Sequence, residues 1–251
     1  MNNDTWKKLQ DQLHTGKQLI ILGEVHGASV NTTIIKDLVS RLDIKVILIE
    51  LETKWQKVFL SLKQRPNDLI SAINTEPWIK EAGLVGKEHI ILYDEYIRQG
   101  KIILPVKVEH PQWNIAERKT AKHILSLLGN YPKDNTLLII GNFHARKKIF
   151  LIKEKGRIKK FIPLGFLLKK KAISIQVRYG KGLAYNFRNI TLNDLAVLRK
   201  LAKKGKKKLL LKSKSQFFDY DYLVTKTKPI NTSAFLAGPR MKYPEKLSSL
   251  W

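Results

Sequence analysis

Two segments far apart in this chain repeat one pattern. Gln18-Leu19-Ile20-Ile21-Leu22-Gly23-Glu24-Val25-His26 and Thr136-Leu137-Leu138-Ile139-Ile140-Gly141-Asn142-Phe143-His144 each run an apolar stretch into Gly-x-x-His. A short continuous apolar run reads as a buried strand, and the glycine lets the backbone turn sharply where the run ends. Each histidine therefore falls just beyond a strand's carboxyl end, the place where open α/β sheets bind ligands.

The rest of the chain supports that setting. Apolar periodicity predicts helices at about 4–14, 29–41 and 113–128, with others within 54–62, 66–73 and 86–99. Strands are predicted at 18–23, 45–50, 101–106 and 136–141. This alternation predicts an α/β fold: a mainly parallel central sheet flanked by helices. Pro105 makes the third strand end, bulge or lie at an edge. Beyond 141 the pattern weakens to a strand at 172–177, a helix at 193–204 capped by Thr191, a last strand at 221–225 and a loop over 226–244. We expect residues 1–190 to form the α/β domain and 191–251 a basic C-terminal extension packed on it.

Composition narrows the chemistry. With 251 residues and 43% hydrophobic content the chain can bury a sizeable core. It has no cysteine, so a disulfide, a thiolate metal ligand and a cysteine nucleophile are excluded. Any metal would be held by His, Asp or Glu. The sequence has no membrane-length apolar run and opens on Met1-Asn2-Asn3-Asp4-Thr5-Trp6 without a hydrophobic signal segment, which predicts a soluble, cytoplasmic protein.

The net charge of +26 is unevenly spread. Residues 1–140 carry 19 Lys+Arg against 16 Asp+Glu, and residues 141–251 carry 28 against 5. Such a field attracts polyanions, so nucleic acid, an anionic membrane surface or a phosphorylated ligand are expected partners of the basic C-terminal part. A solvated lysine-rich face explains the same composition. Lysine greatly outnumbers arginine there, whereas planar bidentate recognition of bases or phosphates favours arginine.

Glu24 and His26 stand two apart in a tight turn, where both can project into the cleft above the sheet. A carboxylate beside His26 raises the imidazole's basicity and fixes its tautomer, which suits a general base or a metal ligand. Glu50 closes the apolar strand Lys45-Val46-Ile47-Leu48-Ile49-Glu50, and a glutamate there is expected in the same cleft. Glu52 is a weaker candidate, and Glu109 and His110 could form an outer ring or a solvated loop. Arg118, in the amphipathic segment Trp113–Leu125, could clamp a carboxylate, phosphate or developing oxyanion if it faces the rim. His123 reads as structural or exposed, and His14 and His89, on predicted outer helices, carry no signal.

The ordered set Gly23-Glu24-Val25-His26-Gly27, Ile49-Glu50, Glu117-Arg118 and Gly141-Asn142-Phe143-His144-Ala145 resembles the erythromycin esterase/ChaN-like superfamily, which includes the Tiki and TraB proteins. The resemblance covers about residues 18–180, and Ile162-Pro163-Leu164-Gly165-Phe166-Leu167-Leu168 is similar to the ChaN-like branch. It implies a hydrolase of an ester or peptide bond in a small-molecule or peptide substrate, or a non-catalytic protein that binds haem or another anionic ligand. In the hydrolase reading, His26 is the base or metal ligand, Glu24 and Glu50 are its carboxylate partners, and Arg118 or His144 stabilises the oxyanion. A divalent metal would lie between His26, His144 and Glu50. Lys119 departs from the Asp or Asn that many relatives carry after Glu-Arg.

Overall fold

The computed structural model describes residues 3–61, 84–154, 156–186 and 188–229. The predicted helix at 66–73 and most of the predicted loop at 226–244 lie outside the described residues. The first half follows the expected alternation: α1 (Asn3–His14), β1 (Leu19–Glu24), α2 (Val30–Arg41), β2 (Ile44–Glu52), α3 (Gln56–Ser61), α4 (Lys87–Arg98), β3 (Ile102–Lys107), α5 (Trp113–Asn130) and β4 (Asn135–Gly141). Then come a hairpin, β5 (Phe150–Glu154) and β6 (Arg157–Phe161), and the short α6 (Leu164–Leu167). The chain continues through β7 (Ala172–Asn186), β8 (Arg188–Asn193), α7 (Leu195–Lys203), β9 (Lys208–Lys212) and β10 (Tyr220–Thr227).

Seven strands line up in the order β3-β2-β4-β1-β7-β10-β9, and β8 pairs with the far end of β7. All neighbours from β3 to β10 run parallel, while β9 is antiparallel to β10 and β8 to β7. The sheet is therefore mainly parallel, as the alternation predicted. Pro105 lies on the edge strand β3, opposite Ile49, where its missing N–H costs no pairing on the open side.

The sheet is covered on both faces because its strands are apolar on both. Ile20, Leu22, Ile47, Ile49, Leu137 and Ile139 pack with α1, α2 and α4. Leu19, Ile21, Val46, Leu48, Leu138 and Ile140 pack on the other face with Ala121, Ile124 and Leu128 of α5 and with α6. Successive strand residues point to opposite faces, so these two cores follow from one continuous apolar run.

Among the described residues after 190, strands join the central sheet itself. β10 inserts between β7 and β9 and forms part of the same sheet as β1. The helix expected at 193–204 is α7, but its cap is Asp194 rather than Thr191: the Asp194 carboxylate accepts from the Val197 N–H at 3.1 Å. Thr191 belongs to β8, opposite Leu183. Among the described residues no helix is long and apolar enough to cross a membrane.

Two glycines set how closely the repeated motifs approach. A Cβ on Gly23 would stand 2.7 Å from the Ala145 Cβ and 2.8 Å from Asn142 Oδ1, both beyond β4. Gly23→Ala therefore overpacks the contact between the motifs, and we expect a loss of about 1–3 kcal/mol. Thermal unfolding would read this as a lowered midpoint, and an unchanged midpoint would show that the two turns can move apart freely.

Candidate functional site

Parallel pairing of β1 with β4 puts Glu24 directly opposite Gly141. The turns that follow both strands therefore emerge side by side at the carboxyl edge of the sheet. The Asn142 N–H donates to the Glu24 carbonyl at 2.9 Å and ties the second turn to the end of the first strand. From the other side, Tyr179 of β7 accepts from the Val25 N–H at 3.2 Å and donates to Asn31 Oδ1 at 2.7 Å. The Asn31 amide in turn donates to the Val25 carbonyl at 2.9 Å, so the turn before His26 is held at both backbone groups of Val25.

On this scaffold five ionisable side chains form one chain in which carboxylate and imidazole alternate. Glu24 Oε1 lies 3.3 Å from His26 Nδ1, and His26 Nε2 lies 3.3 Å from Glu50 Oε2. Glu50 Oε1 is 3.6 Å from His144 Nε2, and His144 Nδ1 is 2.8 Å from Glu117 Oε1. The chain passes over the rim of the sheet. Glu24 follows Ile20 and Leu22 toward one core, whereas Glu50 follows Val46 and Leu48 toward the other. Gly141 leaves the gap for the crossing: a Cβ there would sit 3.0 Å from His26 Nε2.

Backbone donors fix the central carboxylate and one of the outer two. Glu50 Oε2 accepts the Gly141 N–H at 2.7 Å, and Glu117 Oε2 accepts the Leu164 N–H at 2.6 Å. Glu24 Oε2 and the Nε2 of His89 are buried without a hydrogen-bond partner among the described residues. His89, expected to be of no account on an outer helix, is in fact buried in α4, where its Nδ1 accepts the Gly86 N–H.

The electrostatics follow from burial and alternation. Burial opposes a charge on His26, but the hydrogen bonds and negative charges of Glu24 and Glu50 outweigh it and lift the imidazole pKa to about 9. Burial likewise opposes ionisation of Glu50, yet the positive charges of His144, His26 and Lys107 hold its carboxyl far below the usual range. For His144 burial is again outweighed, here by Glu117 and Glu50, so its pKa is raised. Lys107, at the end of β3, bears on both Glu50 and His144.

Of the residues expected in the cleft, Glu24, His26, Glu50 and His144 converge. Arg118 does not. It is exposed on α5, and its neighbour Glu117 is the residue that points inward and holds His144. The register of α5 carried that signal: Glu117, Thr120, Ala121, Ile124 and Leu128 recur at helical spacing on the buried face, and Arg118 falls a third of a turn away. Glu52 is buried but pairs with Lys54 at 2.7 Å, Glu109 is exposed, and His110 Nδ1 accepts from the Gln112 N–H. None of these joins the alternating chain.

The expected metal site does not form from these donors. Glu50 stands between the two imidazoles, with one on each oxygen, and every ring nitrogen already faces a carboxylate. Among the described residues no group of three or more His, Asp and Glu side chains has the arrangement to hold a metal ion. Both ring nitrogens of His26 face carboxylates, and the hollow beside His144 measures about 30 Å³. That hollow is lined by Glu50, Lys107, Glu117 and His144 among others.

No protein-family model and no curated protein matches this sequence. Solved structures are similar in fold. A succinoglycan biosynthesis protein superposes with a TM-score of 0.55 at 13% identity, covering 90% of this chain and 92% of the other. A protein from Bacillus cereus superposes with a TM-score of 0.53 at 12% identity, covering 92% and 98%. An erythromycin esterase mutant in its open conformation superposes with a TM-score of 0.52 at 9% identity, covering 89% and 93%. The chain shares its fold with these solved structures, an erythromycin esterase among them.

The buried His26 imidazolium makes a stability prediction. Its pKa rises on folding from 6.5 to about 9, so its stabilisation is complete below pH 6.5 and is lost as pH climbs through about 9. Urea-unfolding midpoints of the wild type should fall across this interval. His26→Asn should remove that part of the slope, and identical slopes in the two proteins would show that His26 is not charged in the folded state.

Proposed function

We propose that the protein hydrolyses an ester bond and that the Glu117–His144 pair activates the attacking water. The observation that carries this reading is the asymmetry of His144. Its Nδ1 is fixed by Glu117 at 2.8 Å, while its Nε2 stands 3.6 Å from Glu50, beyond a good hydrogen bond, beside a hollow that these side chains line. A histidine with one nitrogen oriented by a buried carboxylate and the other turned to a cavity is the arrangement of a general base.

The hollow has room for a water molecule at about 30 Å³. There the neutral imidazole takes a proton at Nε2 as the water oxygen attacks the ester carbonyl carbon. The C–O bond to the leaving group then breaks, and the imidazolium returns the proton to the departing alkoxide. Glu50, ionised at neutral pH, accepts a hydrogen bond from the water and orients it. The ammonium of Lys107 and the imidazolium of His26 set a positive field where the oxyanion develops.

This assignment reverses the roles expected from the motifs. His26 serves as a fixed charge because both of its nitrogens are held at 3.3 Å by carboxylates. The more accessible His144 serves as the base. The clamp expected of Arg118 passes to Lys107. An ester is preferred over a peptide because one of the similar folds belongs to an esterase.

Purified protein assayed on a panel of p-nitrophenyl esters and macrocyclic lactones should turn over at least one of them. On that substrate His144→Ala and Glu117→Gln should each lower kcat/KM by roughly 10²–10⁴-fold, the usual worth of a general base. Arg118→Ala should leave turnover unchanged. Hydrolysis by His144→Ala at the wild-type rate would end the proposal.

The pH profile supplies an independent check. The neutral form of His144 is required and its pKa is raised above 6.5, so the rate should climb with pH through a value above 6.5. Glu117→Gln removes the strongest of the influences that raise it and should move this acid limb to lower pH. A limb that stays in place would mean that another group titrates.

A further inference from the structure

Leu151 and Ile158 are the most exposed large hydrophobic side chains among the described residues, at 69% and 73%. Both lie on the β5–β6 hairpin, which forms a two-stranded sheet separate from the main one. Its register pairs Leu151 with Lys160 and Lys153 with Ile158, and strand alternation puts these four side chains on one face. That face thus carries two aliphatic side chains and two ammonium groups, and all four are exposed.

The opposite face is anchored. Phe150 and Phe161, also cross-strand partners, join Phe143 in an aromatic cluster with ring centroids 4.8 and 4.5 Å from it. Arg146 lies over the Phe150 ring at 4.4 Å, and Trp113 of α5 closes on Phe161 at 5.9 Å. Phe161 also reaches the His144 ring at 5.8 Å. The hairpin is therefore held at its base beside the candidate site and turns its apolar-basic face away from the protein.

We propose that this face docks on an anionic lipid bilayer. Aliphatic side chains gain from the acyl boundary, and the lysine stems let their ammonium groups reach the headgroup phosphates above them. The surrounding segment fits that partner in charge, since residues 147–160 hold seven Lys or Arg and one Glu. Nucleic acid fits less well. Base stacking needs exposed aromatic rings, and the hairpin's rings are turned inward. A phosphodiester backbone alone offers Leu151 and Ile158 nothing to bury against.

The test must separate this face from the general attraction of a chain with net charge +26. The full-length protein is sedimented with vesicles of phosphatidylcholine mixed with phosphatidylglycerol, and with vesicles of phosphatidylcholine alone. Wild type should bind the mixed vesicles and bind the neutral ones much more weakly. The charge-preserving double variant Leu151→Ser, Ile158→Ser should bind the mixed vesicles about tenfold more weakly or worse, because it removes only the apolar contribution. Its thermal midpoint should match the wild type, since both side chains are exposed.

Lys153→Gln with Lys160→Gln should weaken binding and flatten its dependence on salt. Equal binding of the mixed vesicles by wild type and the double serine variant would overturn the proposal, leaving charge alone as the cause. Failure of wild type to bind the mixed vesicles would overturn it as well. So would a single-stranded oligonucleotide that binds more tightly than the vesicles and loses affinity in the serine variant.

Discussion

The parallel register of β1 on β4 is the constraint on which the rest of the site depends. It sets Glu24 against Gly141 and so brings together two turns that are distant along the chain. A shift of one residue would turn Glu24 toward the opposite core and carry His26 away from Glu50. The register is held by the backbone ladder, whose ends are the Thr136 N–H on the Gln18 carbonyl at 3.0 Å and the Asn142 N–H on the Glu24 carbonyl at 2.9 Å. Glycine at 23 and 141 then allows a separation between the turns that any side chain would widen.

Given that contact, the alternation of charges explains how five ionisable groups can lie at the edge of an apolar sheet. Each imidazole sits between two carboxylates, and the central carboxylate sits between two imidazoles. Each charge is thereby compensated on the spot, which offsets the cost of removing it from water. The same arrangement raises the pKa of His26 and of His144 and lowers that of Glu50. Within it the two histidines are not equivalent. His26 is locked between carboxylates inside the first turn, whereas His144 has one loosely held nitrogen beside a hollow.

The elements that alternate most regularly in sequence, from α1 to β4, appear in the structure close to their expected bounds. So do the two motif histidines and Glu50, near the end of β2. Their local patterns and their tertiary roles coincide, because a strand buried on both faces has one way to read. The differences fall between neighbours. Arg118 has the chemistry of a clamp, but the buried face of α5 runs through 117, 120, 121, 124 and 128. Thr191 has the chemistry of a cap, but Asp194 is the residue that reaches the Val197 N–H while also pairing with Arg178 at 2.5 Å. The long β7 and the strands after it were harder to read because charged residues interrupt them and the hydrophobic pattern is half wet.

What the sequence by itself determined is the set of buried strands, the parallel class of the sheet and the placing of two histidines and Glu50 at carboxyl ends of strands. Apolar periodicity and glycine turns are local properties, and they carry that information residue by residue. What only the tertiary structure decided is which carboxylate each imidazole meets, and hence which nitrogen is left to face the hollow. That depends on distances of a few tenths of an ångström between segments far apart along the chain, set by strand register and by helix rotation. It is also why a metal set that looks adequate along the chain becomes, in space, a glutamate standing between two histidines.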